Sequence, residues 1–149
     1  MNDGRPVESV EELYGTWRLV SWTRRLLDTE ETVEAFGTAP RGVLNYGRDG
    51  RVFFMMTREQ RAKPEDLTKL TDAQRAELYD SMVAYAGTFT FDGKVATCNV
   101  DISWNEVWTG TAQVRNVRFE RGRLIWSTNP QTGIDGRRVV GVFVWEKLQ

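Results

Sequence analysis

Residues 87–103 read GTFTFDGKVATCNVDIS. Apolar and polar residues alternate on both sides of Asp92-Gly93. An Asp-Gly pair between alternating runs is among the best short hairpin signals, because both residues tolerate the positive φ angles of a tight two-residue turn. The segment predicts two antiparallel strands, 87–92 and 94–103. Upstream, GVLNYGRDGRVFFMMT at 42–57 repeats the design, with Gly47-Arg48-Asp49-Gly50 as the turn. Downstream come GTAQVRNVRFE at 110–120, a turn at Arg121-Gly122, RLIWSTN at 123–129, a loop from Pro130 to Gly136, and RRVVGVFVWEK at 137–147. Near the start, GTWRLVSWTR at 15–24 carries Trp17 and Leu19 on one parity and Val20 and Trp22 on the other, so it is expected to be covered on both faces over part of its length. A shorter run, ETVEAF at 31–36, reads as a further strand.

One stretch breaks the two-residue period. REQRAKPEDLTKL at 58–70 is charged, contains Pro64 and reads as a loop or short irregular helix. Thr71-Asp72 can cap a helix over 71–84, in which Leu78, Met82 and Tyr85 recur at helical spacing. The sum is eight or nine antiparallel strands and one helix. So many twisted strands close into a barrel or split into packed sheets, because closure removes exposed edges. An up-and-down barrel of about eight strands has an interior able to hold one small ligand. The helix is expected to pack Leu78 and Met82 against an open end, as a lid or a plain cap, with 58–70 at the entrance.

The chain has 149 residues, for which one domain is the default, and 20 basic against 21 acidic side chains. A formal charge of −1 argues against nucleic-acid binding, which draws on a clustered positive excess. There is no histidine, which excludes Ser-His-Asp and Cys-His nucleophile systems and imidazole-ligated metals. A lone cysteine, Cys98, makes neither an internal disulfide nor a thiolate cage, so no metal or other cofactor is expected. Residues 1–12 are polar and acidic, and no run approaches the roughly 20 apolar residues that cross a bilayer. The expectation is a cytoplasmic barrel without a membrane span, as a monomer or homodimer.

Four segments in order, EELYGTWRLVSW at 11–22, GVLNYGRDGRV at 42–52, YAGTFTFDG at 85–93 and WTGTAQVRNVRFERGRLIWST at 108–128, resemble the lipocalin-like domain family of bacteria and fungi. The resemblance covers nearly the whole chain and implies an all-β, calycin-type antiparallel barrel. Gly15-Thr16-Trp17 is similar to the G-x-W signature of lipocalins, in which the tryptophan closes one end under an arginine from a late strand, here Arg121 or Arg123. The family is similar both to carriers of hydrophobic molecules and to cyclases or isomerases of secondary metabolism, so the resemblance implies a lumen and leaves its use open. Relatives often carry histidine where this chain reads Thr97-Cys98-Asn99-Val100-Asp101, and any role of that imidazole is missing here.

The strand parities supply the site candidates. In 94–103, Ala96, Cys98, Val100 and Ile102 form one face and Thr97, Asn99, Asp101 and Ser103 the other. Either the apolar set points inward, or Asn99 and Asp101 line the lumen, where desolvation would make Asp101 a general acid or base. In 110–120, Val117 and Phe119 mark the inner parity, which carries Gln113 and Arg115 into the barrel. Arg115 would then need a partner, with Asp101 as the candidate, either as a structural ion pair or as part of a ligand site. Tyr46, Phe89 and Trp126 suit the wall of a flat aromatic or polyketide-like ligand, together with Phe54, Phe143 and the adaptable Met56 or its neighbour Met55. Tyr85 is a candidate phenol near the mouth, and Cys98 reads as a small buried apolar residue.

Three functions fit these residues. The first is a binding barrel for a small hydrophobic molecule. The second is a cofactor-independent cyclase or isomerase in which Asp101, Arg115 and Tyr85 move protons and stabilise charge. The third is an interaction barrel filled by its own side chains. Ligand sites ordinarily enclose about 300–1,000 Å3, so an empty apolar cavity below about 100 Å3 would sink the first two.

Overall fold

The computed structural model describes residues 4–133 and 135–148. Met1–Asp3, part of the polar opening, and Ile134, in the loop after Pro130, lie outside the described residues. Eight strands form a closed antiparallel barrel: β2 (Gly15–Leu26), β4 (Arg41–Tyr46), β5 (Arg51–Thr57), β6 (Met82–Phe91), β7 (Val95–Ser103), β8 (Ala112–Glu120), β9 (Arg123–Ser127) and β11 (Arg138–Lys147). Each pairs with the next in that order, and β11 returns to pair with β2. Three short strands decorate the barrel: β1 (Arg5–Pro6) on β8, β3 (Thr32–Glu34) on β2 and β10 (Gln131–Thr132) on β11. The sequence signalled β3 but neither β1 nor β10, each of which is only two residues long.

The turn between β6 and β7 departs from the expected form in one respect: only Gly93 takes a positive φ, and Asp92 acts through its side chain. Asp92 accepts hydrogen bonds from the backbone N–H of Lys94 at 2.9 Å and of Val95 at 2.7 Å, and Gly93 sits at φ 101°. Between β8 and β9, Arg121 and Gly122 both adopt positive φ, 51° and 76°, the signature of a two-residue primed turn.

Alternation then fills the barrel. Leu44 and Tyr46, Val52, Phe54 and Met56, Ala96, Cys98 and Val100, Val117 and Phe119, and Phe143 and Trp145 are buried on successive strands, with more exposed residues between them. Two bulges break the pattern. In β2, Ser21 faces Val144 and Leu19 faces Trp145, which leaves Val20 as an extra residue. A bulge switches the face that later residues present. Trp17 and Leu19 are therefore buried before it, while after it Trp22 stacks on Phe143 at 5.3 Å. The mixed parity expected to mean two covered faces instead serves one interior.

In β7, Gly87 pairs with Val100 and Ala86 with Ile102, so Asp101 is the extra residue. Ile102, grouped with the inner face by simple parity, is 65% exposed. Gly87 is required at this place, since a Cβ there would meet the carbonyl oxygen of Asn99 at 1.9 Å.

The helix α1 (Asp72–Asp80) is shorter than the expected 71–84. Its start is as read: Thr71 and Gln74 form a reciprocal capping box. Its end is not. Ser81 caps it, and Met82 already pairs with Thr57 in the barrel, so Met82 and Tyr85 belong to β6 and not to a helical face. The inward series Tyr85, Gly87, Phe89 has a period of two, and hydrogen bonding to β5 and β7 wins over the helical spacing.

Candidate functional site

Arg115 is carried into the barrel by β8, and it is only 5% exposed. Its register neighbour on β7 is Ala96, while Gln113 faces Cys98. The guanidinium donates from Nη1 to the carbonyl of Val114 at 2.9 Å and from Nη2 to the Tyr85 hydroxyl at 3.4 Å, and Nε has no acceptor. Its faces are aromatic: Cζ lies 5.3 Å from the Trp126 ring centre and 5.8 Å from that of Phe143. Such contacts offset part of the cost of burying a cation.

Beside it is a cavity lined by Tyr46, Val52, Tyr85, Ala96, Thr97, Cys98, Gln113, Arg115 and Trp126. The free space inside it measures about 10 Å3, room for about one water. Thr97 and Gln113 are its half-buried members and the others are buried. This lies below the mark of about 100 Å3 on which both ligand-holding readings depend, so the closed lumen speaks against them and holds a molecule of ordinary ligand size only if side chains move aside.

Two phenols border this space. Tyr46 accepts a hydrogen bond from Trp126 Nε1 at 3.0 Å and packs against Phe89, ring centres 4.8 Å apart. Burial raises the pKa of Tyr46. Tyr85 is also pushed up by burial, with the Arg115 guanidinium opposing the shift. The Cys98 thiol rises to about 11, again through burial and against the pull of Arg115. All three groups are therefore protonated near neutral pH, and the site offers hydrogen-bond donors around one fixed positive charge.

Of the residues singled out from sequence, Arg115, Tyr85, Tyr46, Gln113 and Trp126 meet at this cavity. Phe54, Met56, Phe89 and Phe143 are buried in the aromatic core around it without lining it. Asn99 and Asp101 lie on the outer surface. Asp101 forms a bidentate pair with Arg51, including Nη2–Oδ1 at 2.9 Å, and this pairing holds its carboxyl below the usual range. The alternative that put Asp101 in the lumen as the partner of Arg115 is thus corrected. The apolar row of β7 is inside, so alternation from Val100 already sets Asp101 outward beside Arg51 of β5, and the bulge carries Ile102 outward as well.

Further corrections concern the two ends. The cation over Trp17 is Lys147, whose Nζ lies 5.2 Å from the ring centre, in place of Arg121 or Arg123. Arg123 instead reaches Glu146 at 3.7 Å. Nor does α1 cap the barrel with an apolar side, for it has no buried residue. It touches the wall through aromatic rings: Tyr79 meets Trp104 at 5.7 Å, Trp104 meets Trp108 at 5.4 Å and Trp108 meets Tyr85 at 5.8 Å. Sequence reasoning also passed over Val52 and Ala96 as cavity lining. Their inward parity was legible, but their height along the barrel was not.

A family model described as the lipocalin-like domain matches residues 14–148. The chain belongs to the lipocalin-like domain family. No curated protein and no solved structure matches it. Membership in this family suggests binding of a small ligand in general terms. Among the described residues, no helix is long and apolar enough to cross a membrane, and no group of three or more His, Cys, Asp or Glu side chains is placed to hold a metal ion.

Proposed function

We propose that this lipocalin-like barrel binds a small, flat hydrophobic molecule of aromatic or polyketide-like character in its lumen. The ligand lies against Trp126, Tyr46 and Tyr85 with its polar end toward Arg115. The observation that carries this reading is the donor-rich cavity itself, where a guanidinium is buried with no acid beside it among the described residues. Burying an unpaired charge costs several kcal/mol in a folded protein, roughly what an apolar residue at the same place would avoid. A core that only filled space has no use for that cost. Because the closed lumen has room for about one water, binding requires rings such as Tyr46 and Phe89 to rotate outward, as for a ligand that stabilises a minor open form.

The cyclase or isomerase reading needs a proton acceptor in the lumen. Asp101, its candidate, sits outside, and the phenols around the cavity stay protonated, so we favour binding over turnover. The competing reading is a barrel filled by its own side chains. Titration with N-phenyl-1-naphthylamine, a neutral flat fluorophore, separates the two. The expected outcome is saturable one-to-one binding with energy transfer from the barrel tryptophans, weakened by Trp126→Phe. Absence of saturable binding up to millimolar protein would favour the filled barrel.

A further inference from the structure

The interior contains a directional imbalance. Among the described residues, every buried side-chain nitrogen or oxygen without a hydrogen-bond partner is a donor: Trp22 Nε1, Arg115 Nε and Trp145 Nε1. No acceptor is left over. Buried polar groups are ordinarily satisfied, and of the three only Arg115 lines the cavity, so its Nε is the one that a molecule there can serve. The three lie in one aromatic cluster, since Phe143 stacks on Trp22 at 5.3 Å, Trp126 meets Trp145 at 5.3 Å, and Arg115 lies over both Phe143 and Trp126.

Charge points the same way. Among the described residues, no carboxylate lies within ion-pair distance of Arg115, and the lining contains no acidic side chain. The neighbouring phenols and thiol are neutral at physiological pH, so they supply hydrogen bonds and no countercharge. The free space beside the guanidinium admits one water-sized group, which is also the size of one oxygen atom.

We propose that the ligand of this lumen is an organic anion, an aromatic or polyketide-derived carboxylate or enolate, whose charged oxygen is received by Arg115 and the Tyr85 hydroxyl. This rests on the lumen-binding reading and narrows it. The oxygen supplies the acceptor that Nε lacks and the negative charge that the cavity lacks, while the hydrocarbon part displaces aromatic side chains. A neutral ligand of the same shape leaves the guanidinium uncompensated and binds more weakly.

The test compares 2-naphthoate with its neutral counterpart 2-naphthamide, each titrated calorimetrically at pH 7.5 into the wild type, Arg115→Gln and Arg115→Lys. Hydrogen bonds to charged groups predict that the wild type prefers the carboxylate by roughly 10-fold to 100-fold. Arg115→Gln should bring the two ligands within about 2-fold of each other, and Arg115→Lys should restore part of the preference, since it returns the charge without the fork. Should Arg115→Gln not fold, as judged by its thermal transition, Arg115→Met serves in its place. Naphthamide binding as tightly as naphthoate to the wild type overturns the anion proposal and leaves lumen binding standing. A carboxylate preference that persists without Arg115 also overturns it, by placing the anion elsewhere. Failure of both ligands to bind overturns lumen binding and the anion proposal together.

Discussion

The inner row of β8 runs from one kind of interior to another. At Phe119 it is dry and complete: Leu13, Trp17, Leu44 and Leu124 are fully buried around it, Trp17 Nε1 donates to the Leu13 carbonyl at 2.9 Å, and Trp17 meets Phe119 at 6.3 Å. Four residues earlier, at Arg115, the row enters a region with a cavity, two phenols, a thiol and a charge without an acid. The same strand, with the same alternation, thus supplies a plug at one end and a receptor at the other. In the first region the buried Trp17 indole has its partner, whereas in the second Arg115 Nε has none among the described residues.

The largest test of that contrast is Trp17→Ala. Truncating a fully packed tryptophan is expected to cost about 3–5 kcal/mol of stability, measured by denaturant unfolding. Next is Arg115→Met, for which the expected sign is opposite: stability unchanged or raised by about 1–4 kcal/mol, because an apolar side chain of similar length removes a buried charge. Equal destabilisation by the two substitutions would erase the distinction between plug and receptor.

A pH titration sharpens the same comparison. Cys98, like the two phenols, has a folded pKa raised by burial, so the folded state favours the protonated form. Its contribution to stability is therefore fully present below the unfolded thiol value near 9 and is lost as pH rises through about 11. Cys98→Ala should flatten the alkaline fall of the melting temperature between pH 9 and 11, and a thiol reagent at pH 8 should modify the native protein far more slowly than the unfolded chain. The smallest effect belongs outside the barrel. Asp101→Asn breaks an exposed pair with Arg51 and is expected to leave both the denaturant midpoint and ligand affinity essentially unaltered. A large loss of binding in this variant would return the carboxylate to the site.

Much of this architecture was legible in the order of residues. The Asp92-Gly93 and Arg121-Gly122 turns, the alternating runs between them and the family resemblance all point to a closed antiparallel barrel, because turn chemistry and burial period are local properties. The inward course of Gln113, Arg115, Val117 and Phe119 was legible for the same reason. What local pattern does not reveal is a bulge. Val20 and Asp101 look like ordinary strand residues, yet each shifts the face of everything that follows, and only pairing with a neighbouring strand exposes the extra residue. The end of the helix was hidden for a related reason: Met82 and Tyr85 fit both periods, and the partner strand β5 decides between them. The identity of the cation over Trp17 depends on how β11 ends beside β2, a long-range fact.

That last pairing has a kinetic meaning. Every other junction in the barrel joins strands close in sequence, but β2 and β11 bring Trp17 against Lys147 and Leu26 against Val139. Loop-closure entropy makes such distant contacts slow to form. Arg115, Tyr85 and Trp126 can be drawn near one another by their neighbours while the sheet is still open, but the walls provided by Trp145 and Phe143 from one side of the seam and Trp17 and Trp22 from the other meet only on closure. On topological grounds this seam is expected to close last, and the Arg115 guanidinium would then lose its water in the same step that completes the barrel.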